Sequence, residues 1–165
     1  MTNSAPAPPR RKFWQRWFVD PLVHQLTQGV TPRKIALTLA VGSAFALFPV
    51  MGTTTVLCLS AGVVLALNQP IIQAINTTFF FIYFPALVLF VRVGDAVTGT
   101  ASPSLNVRAM ADLFRHHPVE FFRRFGVTGL HAILGWVVIA PAAAILIYFI
   151  ALPPLRAVER RMKKR

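Results

Sequence analysis

Charged residues vanish from two long stretches of this chain. From Ile35 to Val91 there is no Asp, Glu, Lys or Arg, and Phe125 to Leu155 has none either, with His131 its one group ionising near neutral pH. Neither stretch offers the polar outer face that a helix in the core of a soluble domain would present to water. A bilayer interior about 30 Å thick calls for about 20 apolar residues per helix. One charge at its centre costs on the order of 2.5–3.5 kcal/mol. The pattern predicts an all-α fold, a polytopic membrane helix bundle with about four membrane helices.

Breakers divide the first stretch. Thr31 and Pro32 read as N-cap and first helical residue, and the helix they open runs to about Phe48, a rise of about 25 Å. Pro49 and Gly52 interrupt it. A second short helix is expected over 53–67, ending at Asn68, with Pro70 opening the third over 70–92. The first two helices form a short hairpin that either crosses fully or re-enters, since protein can shield a broken backbone at membrane depth. The last span is expected over 127–152, long enough to cross with tilt. Residues 93–126 read as a loop with an amphipathic segment lying at the interface, and 153–165 as a basic cytoplasmic tail. At the other end, 1–9 is a Pro- and Ala-rich disordered tail. In 10–30, Arg10, Arg11 and Lys12 alternate with Trp14 and Trp17, which suits the headgroup layer.

The net charge of +12 changes the picture only through its placement. Arg10, Arg11, Lys12, Arg16, Arg33 and Lys34 precede the first apolar stretch, and Arg156, Arg160, Arg161, Lys163, Lys164 and Arg165 follow the last. Fewer cations, mixed with acids, lie in the central loop. The positive-inside rule then favours an even number of crossings with both termini cytoplasmic. The expected partners are anionic membrane lipids, not nucleic acid, and four short helices invite a homo-oligomer. Cys58 is alone, so no disulfide forms within the chain.

Candidate chemistry is sparse. Asp20, Asp95, Asp112, Glu120 and Glu159 are scattered, and no pair has a spacing that implies acid–base catalysis. His116 and His117 are adjacent rather than a turn apart, so no metal site is expected; no cofactor and no enzymatic role are expected either. His131 reads as a hydrogen-bonded packing residue. What remains is uncharged polarity at membrane depth. Gly52, Thr53 and Thr54 open the second helix, whose free N–H groups suit an anion, and broken helices serve transporters in this way. Asn68 and Asn76 are expected to line the same cavity, with Gln73, Thr77 and Tyr83 near Asn76 on one face. The competing reading is packing: Thr hydroxyls bond back to their own helix, and Asn and Gln join helices together. Ala36, Ala40 and Ala44 form a small-residue stripe suited to such packing. The function expected from these residues is a transport or lipid-handling module for an anionic or lipid-linked substrate; the alternative is a scaffold that recruits partners or lipid through its basic tails.

The segments "TPRKIAL", "LFPVMGTTT", "ALNQPII" and "INTTFFFIYFPALVLFVRVGD" occur in an order that resembles a bacterial membrane family, domain of unknown function 2062. The resemblance covers about residues 20 to 152. It rests on Thr31, Pro32, Ile35 and Ala36, then Pro49, Gly52 and Thr55, then Asn68 and Pro70, and last Asn76 and Thr78. Thr77 stands where the family usually has proline, which leaves that helix less broken. The resemblance implies a small protein of the bacterial inner membrane. Some relatives are fused to glycosyltransferase domains, which by analogy implies lipid-linked sugars.

Overall fold

The computed structural model describes residues 30–50, 52–102 and 115–163. Four helices make up most of them: α1 (Pro32–Ala46), α2 (Thr54–Val64), α3 (Gln69–Thr98) and α4 (Pro118–Lys163). No strand occurs among the described residues. The segment carrying Arg10, Arg11, Lys12, Trp14 and Trp17 lies outside them, as do residues 103–114 of the expected amphipathic loop.

Local chemistry sets the starts. The Thr31 hydroxyl accepts from the Lys34 amide at 3.4 Å, and Pro32 occupies the first turn, where its missing N–H costs nothing. The Asn68 side chain accepts from the Ile71 amide at 3.1 Å, with Pro70 in the first turn of α3. Pro49 ends α1. It has no N–H for the Phe45 carbonyl, which takes the Phe48 amide at 3.1 Å instead. The Ala44 carbonyl, orphaned in the last turn, accepts the Trp136 indole N–H at 2.9 Å. The rings of Phe45 and Phe48 lie 6.0 and 5.0 Å from Trp136. The end of α1 is thus fastened to the middle of α4.

Small residues let the helices close on one another. Ala36, Ala40, Gly42 and Ser43 are buried on the inner face of α1, and the position of a Cβ on Gly42 lies 3.0 Å from Ile72. Between α3 and α4 the approach is backbone to backbone. A Cβ on Gly94 would strike the carbonyl of His131, and one on Gly135 that of Phe90. Pairing residue 90 with 135 and 94 with 131 makes the two helices antiparallel. Ile35, Leu152 and Leu155 share one core cluster, against which Val30, Val158 and Met162 pack. The start of α1 and the end of α4 therefore lie at the same end of the molecule, and they bring Arg33, Lys34, Arg156, Arg160, Arg161 and Lys163 there, all exposed.

Among the described residues two helices, rather than the expected four, are long and apolar enough to cross a membrane: α3, and α4 from Phe125 onward. With 15 and 11 residues, α1 and α2 rise about 22 and about 16 Å, short of a hydrocarbon core of roughly 30 Å. Only 28% of the apolar window of α3 and 11% of that of α4 is buried. A helix at the centre of a water-soluble domain would be mostly covered; these present Phe80, Phe81, Phe84, Ile145, Leu146 and Phe149 outward. The long helices also overrun their expected bounds. α3 continues past Arg92 until Gly99 ends it with φ +69°. α4 begins at Pro118 and passes through Pro153 and Pro154 to Lys163.

Candidate functional site

The Pro-Gly-Thr corner between α1 and α2 is largely closed on itself. The Val50 amide donates to the Phe48 carbonyl at 2.9 Å, and the Thr53 amide to the Val50 carbonyl at 3.2 Å. Gly52 is exposed with φ +88°, a conformation open to glycine at no steric cost, and a Cβ there would meet nothing within 4 Å. Thr53 precedes α2, but its hydroxyl turns back to the Val50 carbonyl at 2.8 Å and does not cap the helix. Among the described residues the first amides of α2 have no side-chain cap.

From the corner a polar seam runs between α2 and α3. Asn76 donates to the Thr55 hydroxyl at 3.1 Å. One turn and two turns back along α3 come Gln73 and Gln69. The Gln69 amide nitrogen donates to the Leu59 carbonyl at 3.0 Å. It can lie there because residue 62 is glycine; a Cβ on Gly62 would collide with the Gln69 amide group. Gln69 Oε1 and Gln73 Nε2 are buried and have no hydrogen-bond partner among the described residues. A buried polar group left unpaired costs about 1–3 kcal/mol, and here an acceptor and a donor stand one turn apart. Thr77 and Thr78 do not join them; their hydroxyls return to the carbonyls of Gln73 and Ala74 at 3.1 and 2.8 Å. Tyr83 is buried farther along α3.

The expected site residues therefore divide. Gly52, Thr53 and Thr54 stand at one end of α2, and Asn76 reaches that end through Thr55. Asn68 stands at the other end of α2, where its side chain caps α3 and its amide meets the Thr38 hydroxyl at 3.4 Å. Asn68 and Asn76 belong to opposite ends of the seam. Gln69, which sequence reasoning passed over, lies between them; its place immediately after the N-cap Asn68 and before Pro70 was the available signal.

A second polar cluster joins α3 to α4. His131 Nδ1 lies 2.7 Å from Asp95 Oδ1. The Ser102 hydroxyl donates to the same carboxylate oxygen at 2.5 Å, and the Ser102 amide to Asp95 Oδ2 at 3.1 Å. His131 Nε2 lies 3.5 Å from the Thr100 hydroxyl. A carboxylate against Nδ1 fixes that nitrogen as the protonated one in the neutral ring. Serine and aspartate meet the imidazole on the same nitrogen, so Ser102 is not arranged as a nucleophile across the ring from its orienting acid. The cluster instead fastens the chain that leaves α3 onto α4. Among the described residues no three His, Cys, Asp or Glu side chains are grouped to hold a metal ion.

Neither the curated proteins nor the solved structures contain a match to this chain. A family model does match, over residues 15–164, and its description reads "Uncharacterized protein conserved in bacteria". That match takes in α1 to α4, the corner, the seam and the Asp95–His131 cluster, so the chain belongs to this bacterial family, domain of unknown function 2062.

Proposed function

We propose that this is an integral membrane module that binds, and by doing so transports or otherwise handles, an anionic or lipid-linked substrate at the seam between α2 and α3. The observation that carries the reading is the pair of buried, unpartnered amide atoms, Gln69 Oε1 and Gln73 Nε2. A seam built only to hold helices together would pair them; a seam built for a polar ligand leaves them to it. The uncapped amides of α2 add a partial positive charge that suits a phosphate or carboxylate.

Depth gives the seam its meaning. Asn76 lies seven residues into α3, about 10 Å from its start, and meets Thr55 there. That meeting point supports a re-entrant course for the hairpin of α1 and α2, entering part of the way along α3 and returning to the level of Gln69, with uncharged polar groups inside the hydrocarbon. α3 and α4 make the two crossings. The cations gathered at the start of α1 and the end of α4 support, by the positive-inside rule, a cytoplasmic location for both of those ends at the inner membrane.

Replacing Thr54 by Ala and Asn76 by Leu abolishes substrate-dependent thermal stabilisation in detergent on this reading. Lipid and soluble-anion panels tested separately identify the source of the charge. If both variants respond to every candidate as the parent does, the seam is not the site. The alternative, a scaffold acting through its basic end, is favoured by one observation: Glu159, already paired with Lys163 at 3.0 Å, is the one acid among the described residues gathered there. It predicts that deleting 156–165 does more functional harm than altering the corner.

A further inference from the structure

Beside the corner, on the side away from the seam, α1, α3 and α4 enclose a groove of about 360 Å³. Small side chains leave it open. Pro85 and Ala86 face it from α3, Ala140 and Ala143 from α4, and Leu47 closes it from the end of α1. Trp136 forms a wall, but its N–H is already donated to the Ala44 carbonyl. An apolar cavity of this kind does not hold water; one of roughly 150 Å³ stays dry and takes up benzene. Left empty, the lining forfeits its dispersion contacts.

The groove's surroundings name its occupant. It lies between the two helices able to cross a membrane, where the abundant apolar molecules are acyl chains. Leu89 lines it, and Arg92, one turn further and on the same helix face, is the first charge after the neutral stretch. Arg92 is exposed and forms no ion pair among the described residues. It stands at the end of the molecule opposite the cationic cluster.

We infer that this groove holds one acyl chain of a membrane phospholipid, drawn from the leaflet opposite the cationic end, with the lipid phosphate against Arg92. The inference rests on the membrane reading above but not on the seam.

The test uses the full chain in detergent-free nanodiscs. Of its three tryptophans, Trp14 and Trp17 are replaced by Phe so that Trp136 alone emits. Phosphatidylcholine brominated at mid-chain quenches Trp136 strongly on this inference. Ala143→Phe, which fills the groove from α4, loses most of that quenching. Ala86→Leu, the milder filling from α3, loses part of it and guards against misfolding of the first variant, with circular dichroism checking both. Arg92→Gln lowers the amount of phospholipid that survives delipidation and is seen by native mass spectrometry. Equal quenching in the parent and both filled variants overturns the groove as a lipid site. Absence of quenching at every bromine position overturns the membrane reading itself, so the two failures are distinguishable.

Discussion

Two interfaces meet on α3, and they are built to opposite standards. Against α4, the polar contacts among the described residues are closed. Gly94 and Gly135 bring carbonyls into van der Waals range, and Asp95, Ser102 and His131 satisfy one another within 2.9 Å. Against α2, the helix is short, its outer face is bare at Val56, Val63 and Val64, and two buried amide atoms have no partner. Natural cores rarely leave such atoms unpaired. On the proposed reading the α3–α4 pair holds the fold and the α2–α3 pair binds the substrate, and each change below sharpens or breaks that division.

The largest effect is expected at the closed interface. Gly94→Ala adds only a methyl group, yet that methyl collides with the His131 backbone rather than with a flexible side chain. Overpacking of a tight interface costs about 1–3 kcal/mol and occasionally more. Gly94→Ala belongs at the upper end and should lower the thermal midpoint in detergent more than any substitution in the seam. Next comes the polar cluster. Asp95→Ala leaves the nine-tenths-buried His131 imidazole with only the Ser102 hydroxyl at Nδ1 among the described residues, and should lower the thermal midpoint by less than Gly94→Ala does. It also frees the Ser102 amide, whose hydrogen exchange should rise to that of an unprotected loop. Because the pair acts as a unit, Asp95→Ala combined with His131→Ala should cost less than the sum of the two. Simple additivity would mean that the cluster does not fasten the chain at all.

How much of this the sequence discloses depends on range. The starts of α1 and α3 and the corner at Pro49–Gly52 are legible because caps, prolines and a positive-φ glycine act within a few residues of themselves. The overrun of α4 is not. Pro153 and Pro154 read as a stop, because each withholds an amide, but the helix continues through them toward Lys163. The Asp95–His131 pair is invisible for a different reason. Its partners are 36 residues apart, and two glycine contacts between distant helices bring them together. A faint signal existed: Gly94 precedes Asp95, and Gly135 follows His131 by one helical turn, so small residues flank polar ones in both segments. The seam was half legible. Asn76 and the threonine corner read as polarity at depth, and Asn68 reads the same way because a side chain that caps its own helix looks, in sequence, like one free to bind.

Smaller in size but sharper for the comparison is Gln73→Leu. Removing a buried donor that has no acceptor should stabilise the ligand-free protein by about 1 kcal/mol, while removing a ligand contact should weaken substrate binding. A gain in thermal midpoint together with a loss of substrate response is the signature of a site kept open at a cost in stability. A gain in midpoint with substrate response intact would make Gln73 a packing flaw and nothing more. A loss in midpoint would mean that the amide is satisfied in the membrane, by water or lipid, and that the seam is as closed as its neighbour.

The smallest expected effect separates glue from site at the top of the seam. Asn76 and Thr55 share one hydrogen bond of 3.1 Å between partly exposed side chains, and coupling of such pairs between membrane helices averages about 0.6 kcal/mol. A double-mutant cycle with Asn76→Leu and Thr55→Val should return a coupling near that value when no substrate is present. If Asn76 instead turns to a ligand when one binds, it cannot also donate fully to Thr55, and the coupling should shrink toward zero as substrate is added. A coupling that stays the same with and without substrate would leave this bond as a fastening between α2 and α3. The binding role would then fall to Gln69 and Gln73 alone, deeper between the same two helices.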